Sequence, residues 1–499
     1  MKNLLLPFLN CTFASIMVIV IAVLLYFCLL FAISRWTGRR ATNTTFYRAD
    51  RRSPWYMVAF GMIGASISGV TFVSVPGMVL HTQMTYLQMC MGFILGYVVV
   101  AFVLLPLYYR LNLTSIYGYL GQRLGRRSHK TGASFFLLSK MMGAAVRFYV
   151  VCIILQRFVF DPMGIPFAVT VVALVLLIWL YTRNGGIKTL VWTDSLQTLC
   201  LFTALLLIIY KVMQDMGLTM GEAVAMIKDN ALSRVFVMDD WVSKQFFWKQ
   251  FLSGVFVVLV MTGVDQDMMQ KNLTCKTLRG AQKDMCTYGV AFLPANLLFL
   301  SLGVLLAMWY QQQGMPIPAM GDDLLPYYIE QVSSNNNCQL SIVNSQLTEL
   351  MFVLGIVAAS FSSADSALTS LTTIYCVDIR ERDEDEGLRK KVHLAMCGLF
   401  VLFILLFRAV NSTSLIDAVY IIASYTYGPL LGLFAYGLMT RRAVNDCWVP
   451  YIAIVSPLLC YILDWGIGQT TGYRFGYELL MLNALLTFVG LWVSRRIEP

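Results

Sequence analysis

Charged side chains are scarce in this chain. Asp, Glu, Lys and Arg make up 13% of 499 residues while hydrophobic types reach 58%, against about 25% charged residues in a typical soluble domain. That balance excludes a water-soluble globular protein and leaves a chain that threads a bilayer repeatedly. Histidine is rarer still: His81, His129 and His393 are the only three, each at the end of an apolar run or in a connection. No set of paired acids with histidine ligands, and no nucleophile beside a base, can be assembled from them, so an enzyme is not expected. The twelve cysteines are scattered singly, Cys338 being the clearest one outside the apolar runs, and they form no CxxC pair or metal spacing. They are expected to pack as small apolar residues. Neither end carries a long polar tract, which argues against an appended sensor or enzyme domain.

What the chain does have is apolar length. A stretch of about 20 residues spans the hydrocarbon core, and thirteen candidates occur, at about 12 to 34, 55 to 77, 82 to 108, 134 to 158, 163 to 182, 189 to 212, 246 to 265, 282 to 310, 349 to 378, 393 to 410, 415 to 437, 447 to 465 and 472 to 494. The first is followed by an arginine-rich stop and lacks a small-residue cleavage site, so it reads as a retained span rather than a secretory signal.

The net charge of +10 is distributed by alternation. Connection 35 to 54 carries Arg35, Arg39, Arg40, Arg48, Arg51 and Arg52, and connection 109 to 133 carries Arg110, Arg123, Arg126, Arg127 and Lys130. Every second connection repeats the pattern, through Arg183 and Lys188, Lys271 to Lys283, Arg380 to Lys391, Arg441 and Arg442, and Arg495 and Arg496, whereas 311 to 348 has no Lys or Arg. Basic loops stay in the cytoplasm, so the amino terminus is expected outside and the carboxyl terminus inside, which requires an odd number of spans. The positive charge therefore reads as membrane topology, and no nucleic-acid partner is expected.

Between about Leu350 and Ile379 the apolar run is interrupted by Ala358-Ala359-Ser360-Phe361-Ser362-Ser363-Ala364-Asp365-Ser366. A carboxylate at mid-membrane costs about 3 kcal/mol on insertion scales, so it is expected to face a partner, a cavity or an ion. Helical spacing places Ser362, Asp365 and Ser366 on one strip, with Ala359 a turn earlier. Hydroxyl, carboxylate and carbonyl oxygens suit a small hard cation. Two other runs have broken centres: Gly61-Met62-Ile63-Gly64-Ala65-Ser66-Ile67-Ser68-Gly69-Val70-Thr71 in the second, and Met261-Thr262-Gly263-Val264-Asp265-Gln266 in the seventh. Unwound segments of this kind mark the binding sites of transporters, and their separation by five runs is what an inverted repeat of five helices plus five would produce.

Together with Trp192-Thr193-Asp194-Ser195-Leu196-Gln197-Thr198, with Gln270-Lys271 to Lys276, and with Tyr427-Gly428-Pro429-Leu430-Leu431-Gly432, these segments resemble the sodium:solute symporters. The resemblance covers nearly the whole chain and implies an all-α, LeuT-type fold built on spans two to six and seven to eleven. It implies one domain over 1–499: an extra span and loop in 1–50, the repeat core in 51–437, and two further spans in 438–499. A first sodium is implied at the carbonyls of Gly64, Ile67 and Ala359 and the hydroxyls of Ser362 and Ser363. Some relatives bind a second sodium, which maps onto Asp194, Ser362, Asp365 and Ser366. Asp365 stands where many relatives have a small or hydroxyl residue, so two acids meet there; the charge could be balanced by sodium or by a proton.

Substrate residues implied by the resemblance are Ser68, Thr71, Gln88, Arg147 and Asp265. Arg147 lies within the fourth run, where its planar fork would suit a carboxylate, unless it pairs with a protein acid such as Asp265. The expected function is sodium-coupled import of a small organic solute by alternating access, the solute being an acidic sugar such as sialic acid or another carboxylate-bearing metabolite. Proton coupling is the alternative within the same fold, and a channel is disfavoured because nothing repeats to build a symmetric pore. The expected setting is a bacterial inner membrane, the partners sodium, solute and lipid, and the state a monomer or weak oligomer.

Overall fold

The computed structural model describes residues 2–39, 41–334, 339–410, 415–471, 475–476 and 478–494, with side chains described outside 2–16, 333–345, 410–418 and 471. Cys338, Arg495 and Arg496 lie outside the described residues. Among the described residues every regular element is helical, and the only β pairing is an isolated bridge between Ser53 and Cys275. Among the described residues eight helices are long and apolar enough to cross a membrane. Three more pairs pass the same test when joined across a bend, and two shorter apolar helices, Phe167–Thr182 and Leu479–Val493, stand beside them. The protein is an integral membrane protein, with eight to eleven candidate spans among the described residues.

The three bends organise the centre. Trp55–Ser66 meets Gly69–Thr82 at 60°, Phe247–Gly263 meets Gln266–Asn272 at 70°, and Val419–Thr426 meets Gly428–Met439 at 45°. At the first, Ile67 takes φ −83° and ψ 85° and Ser68 is extended at φ −80° and ψ 175°. That turn carries the following amide away from the helix axis, so the Gly64 carbonyl loses its usual partner four residues on. At the second, Asp265 is extended (φ −99°, ψ 119°) and caps the next half-helix, accepting from the N–H of Asp267 at 2.8 Å and of Met268 at 3.3 Å. At the third, Pro429 opens the second half, where its missing N–H costs nothing.

Small residues let the broken second pair sit deep in the bundle. A Cβ on Gly64 would lie 2.0 Å from Thr198 Oγ1 of helix Ile187–Asp215, and one on Gly69 would lie 2.1 Å from Ser360 Oγ of helix Gln339–Ile374. The break is therefore held between the helix that carries Asp194 and the helix that carries the serine cluster.

Three connections depart from the reading of the sequence. The seventh run does not end near 265 but continues as Gln266–Asn272, which takes Lys271 out of the connection and buries it. The region 311–348, a connection between apolar runs in the sequence, includes helix Leu324–Ser334 and the start of Gln339–Ile374. The charged stretch 380–391, one of the basic connections, includes the start of helix Glu386–Val410, and Arg389 is buried with its guanidinium 4.4 Å from the Phe46 ring centre. The connection after helix Ile187–Asp215 holds a short helix, Met220–Asp229.

Candidate functional site

Ala359, Ser362 and Ser363 are buried on helix Gln339–Ile374, which meets the broken pair at Gly69 and Ser360. Ile67 is fully buried, with its backbone turned out of the helix. The first set of sequence-implied ligands thus lies on two segments in contact, one offering a released carbonyl and the other hydroxyls. Ser362 donates its proton to Asp194 Oδ1 at 2.8 Å, which leaves its oxygen lone pairs free to face a cation. The Ser360 hydroxyl beside the break is buried with no hydrogen-bond partner. A buried polar oxygen of that kind is costly unless something completes it. A small hard cation suits this donor set.

Beneath it lies an ionic cluster the sequence only half revealed. Lys271 Nζ is 2.8 Å from Asp194 Oδ2, and both side chains are essentially excluded from solvent. Tyr181 donates to Asp365 Oδ2 at 2.6 Å. The other Asp365 oxygen and the hydroxyls of Ser366 and Thr369 are buried without a partner. Asp194 thus meets Ser362 and Lys271, and Asp365 meets Tyr181, so a lysine stands among these acids.

The central cavity has a volume of about 90 Å³ and is lined by Ser66, Ser68, Thr71 and Arg147 together with Tyr86, Phe93, Tyr97, Tyr288, Phe292 and Tyr420 and several Met and Val side chains. Ser68, Thr71 and Arg147 are thus found together at the break. Gln88 is not with them. Its amide donates to the Gln245 carbonyl at 2.9 Å and accepts from the Val237 N–H at 3.1 Å, so it pins the 234–246 connection instead. Asp265 lies behind the cavity wall, in a smaller space shared with Arg147, Lys140 and Tyr427. Lys140 holds it at 3.3 Å and holds Asp267 at 2.6 Å, and Tyr427 donates to it at 2.6 Å. The pairing of Arg147 with Asp265 does not form: among the described residues Arg147 has no ion pair, and Lys140 takes that place.

Sequence reasoning missed the tyrosine walls, Lys140, Lys271 and Tyr181. A lysine within the fourth run was a usable signal for Lys140, because an intramembrane cation implies a partner. Tyr288 and Tyr97 had none, since they reach the cavity only through packing: Tyr97 donates to Tyr288 at 2.8 Å, and Tyr288 in turn bonds Ser66. Tyr86 and Tyr420 bond across the cavity mouth at 3.1 Å. Beyond them opens a larger vestibule lined by His81, Lys244, Asp322 and Asp464, among others, which also touches Tyr86.

The family model described as the sodium:solute symporter family matches residues 46–446. The rabbit (Oryctolagus cuniculus) sodium-dependent multivitamin transporter is 27% identical, over 92% of this chain and 71% of its own. The sodium/sialic acid symporter NanT of Aliivibrio fischeri is 24% identical, over 94% of this chain and 91% of its own. A solved Na+-coupled sialic acid symporter in a substrate-bound, outward-open state superposes with a TM-score of 0.79 at 20% identity and covers 97% of both chains, which shows a shared fold. With a family match over most of its length and broken helices set around a buried oxygen cluster, the chain belongs to the sodium:solute symporter family and is a sodium-coupled symporter rather than an enzyme.

Proposed function

We propose that this symporter imports a small carboxylate-bearing solute, with the carboxylate on Arg147 and one sodium at the break between the second and ninth spans. The observation that carries the reading is Arg147 itself. It lines the central cavity without an acid partner among the described residues, whereas the other two cations near the bundle centre, Lys140 and Lys271, each hold a carboxylate. An unpaired guanidinium lining a cavity inside the bundle favours an anion that can accept two parallel hydrogen bonds. Ser68 and Thr71 offer hydroxyls beside it, and the aromatic walls suit an apolar or ring-bearing body. Sialic acid, which two relatives are named for, fits the carboxylate requirement, although Gln88 is committed elsewhere and Asp265 is already neutralised. The test is a thermal-shift screen of the purified protein, with sodium present and absent, against sialic acid and a panel of monocarboxylates and neutral sugars. Stabilisation by carboxylates only, and only with sodium, is expected; a response to neutral sugars alone would overturn the reading.

The proposed sodium ligands are the carbonyls of Gly64, Ile67 and Ala359 and the hydroxyls of Ser362 and Ser363. Sodium held there would join the broken span to the ninth span and favour the state whose vestibule leads to the cavity. Solute binding would then let the tyrosine mouth close. Coupling of this kind is a difference in sodium affinity between the two states, and a membrane potential adds about 2.3 kcal/mol per net charge per 100 mV.

For the membrane arrangement we propose thirteen spans, the amino terminus outside, and two five-helix repeats at spans two to six and seven to eleven. The paired bends of 60° and 70° in the second and seventh elements support it. The proposed boundaries are a repeat core at 51–437 and two closing spans at 438–499, in a bacterial inner membrane, as a monomer or weak oligomer. One observation favours a second reading, proton coupling: Asp365 keeps a buried oxygen with no partner. Uptake into vesicles with sodium and proton gradients imposed separately distinguishes the two.

A further inference from the structure

We propose that the Lys271 ammonium takes the second cation seat of this chain, so that one sodium and not two accompanies each solute. The inference rests on the sodium reading above. The seat implied by resemblance is made of Asp194, Ser362, Asp365 and Ser366, and its oxygens do not fit a second free ion. Both oxygens of Asp194 are engaged, Oδ2 by Lys271 at 2.8 Å and Oδ1 by the Ser362 hydroxyl at 2.8 Å. One oxygen of Asp365 is taken by Tyr181 at 2.6 Å. With the Ser362 lone pairs given to the first sodium, what remains of the four residues is one Asp365 oxygen and the Ser366 hydroxyl, too few for a cation that wants a shell of oxygens.

Charge points the same way. A lysine ammonium is a compact point charge with three donors, close to a small metal ion in what it offers a carboxylate, but it cannot diffuse away. Lys271 sits with Asp194 out of contact with water and balances that carboxylate, so a second cation placed against Asp194 would gain no net attraction from the pair. Its position is set by tertiary structure: the half-helix Gln266–Asn272, capped by Asp265, carries Lys271 to helix Ile187–Asp215. The tethered charge therefore performs, with no gradient behind it, the neutralisation that a second sodium would otherwise bring.

A merely structural ion pair would stabilise the fold without deciding sodium stoichiometry, and equilibrium binding of radioactive 22Na+ to the purified full-length protein separates the two. The wild type is expected to bind one sodium per chain, with a Hill coefficient near 1. Lys271→Met is expected to bind two, its sodium-dependent thermal shift steepening towards a Hill coefficient of about 2. Lys271→Gln, which keeps a donor for Asp194 without the charge, gives the same answer should the methionine variant not fold. Two sodium ions on the wild type would overturn this inference and leave the sodium reading standing. A single ion on both variants would overturn the assignment of the lysine as occupant. No ion at all on the wild type would overturn the sodium reading itself, and this inference with it.

Discussion

Replacing Arg147 should damage solute binding far more than it damages the protein. Its side chain is half-buried at the cavity and has no acid partner among the described residues. Arg147→Met therefore removes a cation without leaving an orphan carboxylate, unlike the loss of Lys140 or Lys271. Truncating one side of a buried charge-assisted pair costs about 2–4 kcal/mol of binding. At 1.4 kcal/mol per decade that is a loss of about 30- to 700-fold in affinity. Arg147→Lys should recover only part of it, because an ammonium cannot make the two parallel bonds of a guanidinium. The assay is calorimetric or scintillation-proximity binding of the carboxylate that stabilises the wild type most, with sodium titrated in parallel. Sodium affinity without solute and the melting temperature should stay near wild type. Solute affinity retained within threefold of wild type would refute the placement of the carboxylate on Arg147.

Other consequences follow from the same geometry. Ser363→Ala removes one neutral ligand of the proposed sodium, worth about 1 kcal/mol, and should raise the sodium concentration for half-maximal uptake several-fold; Ser362→Ala should cost more, since Ser362 also bonds Asp194. Lys140→Met leaves Asp265 and Asp267 buried without their shared cation and should destabilise the protein by about 3–5 kcal/mol, read as a large fall in melting temperature. In the connection after the sixth helix, the Thr219 N–H and hydroxyl hold the Glu222 carboxyl below the ordinary glutamate range. A depressed folded value means that the capping box is intact at neutral pH and is lost only as pH falls through that value. Amide exchange over 220–229, corrected for its intrinsic pH dependence, should accelerate there in the wild type, and at every pH in Thr219→Ala.

The tyrosines and lysines show why part of the site was not legible beforehand. A charged or hydroxyl group in an apolar run announces itself by cost, so Ser362, Asp365 and Arg147 stand out, whereas Asp194 enters through the family resemblance. A tyrosine in such a run costs little and carries no such mark, so Tyr86, Tyr97, Tyr288 and Tyr420 became wall residues only when their helices packed. Gln88 and Asp265 failed in the opposite direction. Both are polar and well placed in order along the chain, but one is used by backbone groups of a connection and the other by Lys140 and its own half-helix.

By itself the sequence determined that this is a helical membrane protein with helices broken at Gly64 to Gly69 and at Gly263 to Gln266, and that an oxygen cluster lies near Ser362. Those features are local: apolar length, glycine and the misplacement of polar groups in hydrocarbon are read one segment at a time. Only the tertiary structure decided which charge meets which. Lys271, counted as a loop cation while the seventh run was taken to stop at Asp265, is carried by the extra half-helix onto Asp194, and Lys140 rather than Arg147 closes on Asp265. Ion pairing in a low-dielectric interior depends on separations of a few ångströms between segments far apart in the chain, and no spacing along one segment encodes them.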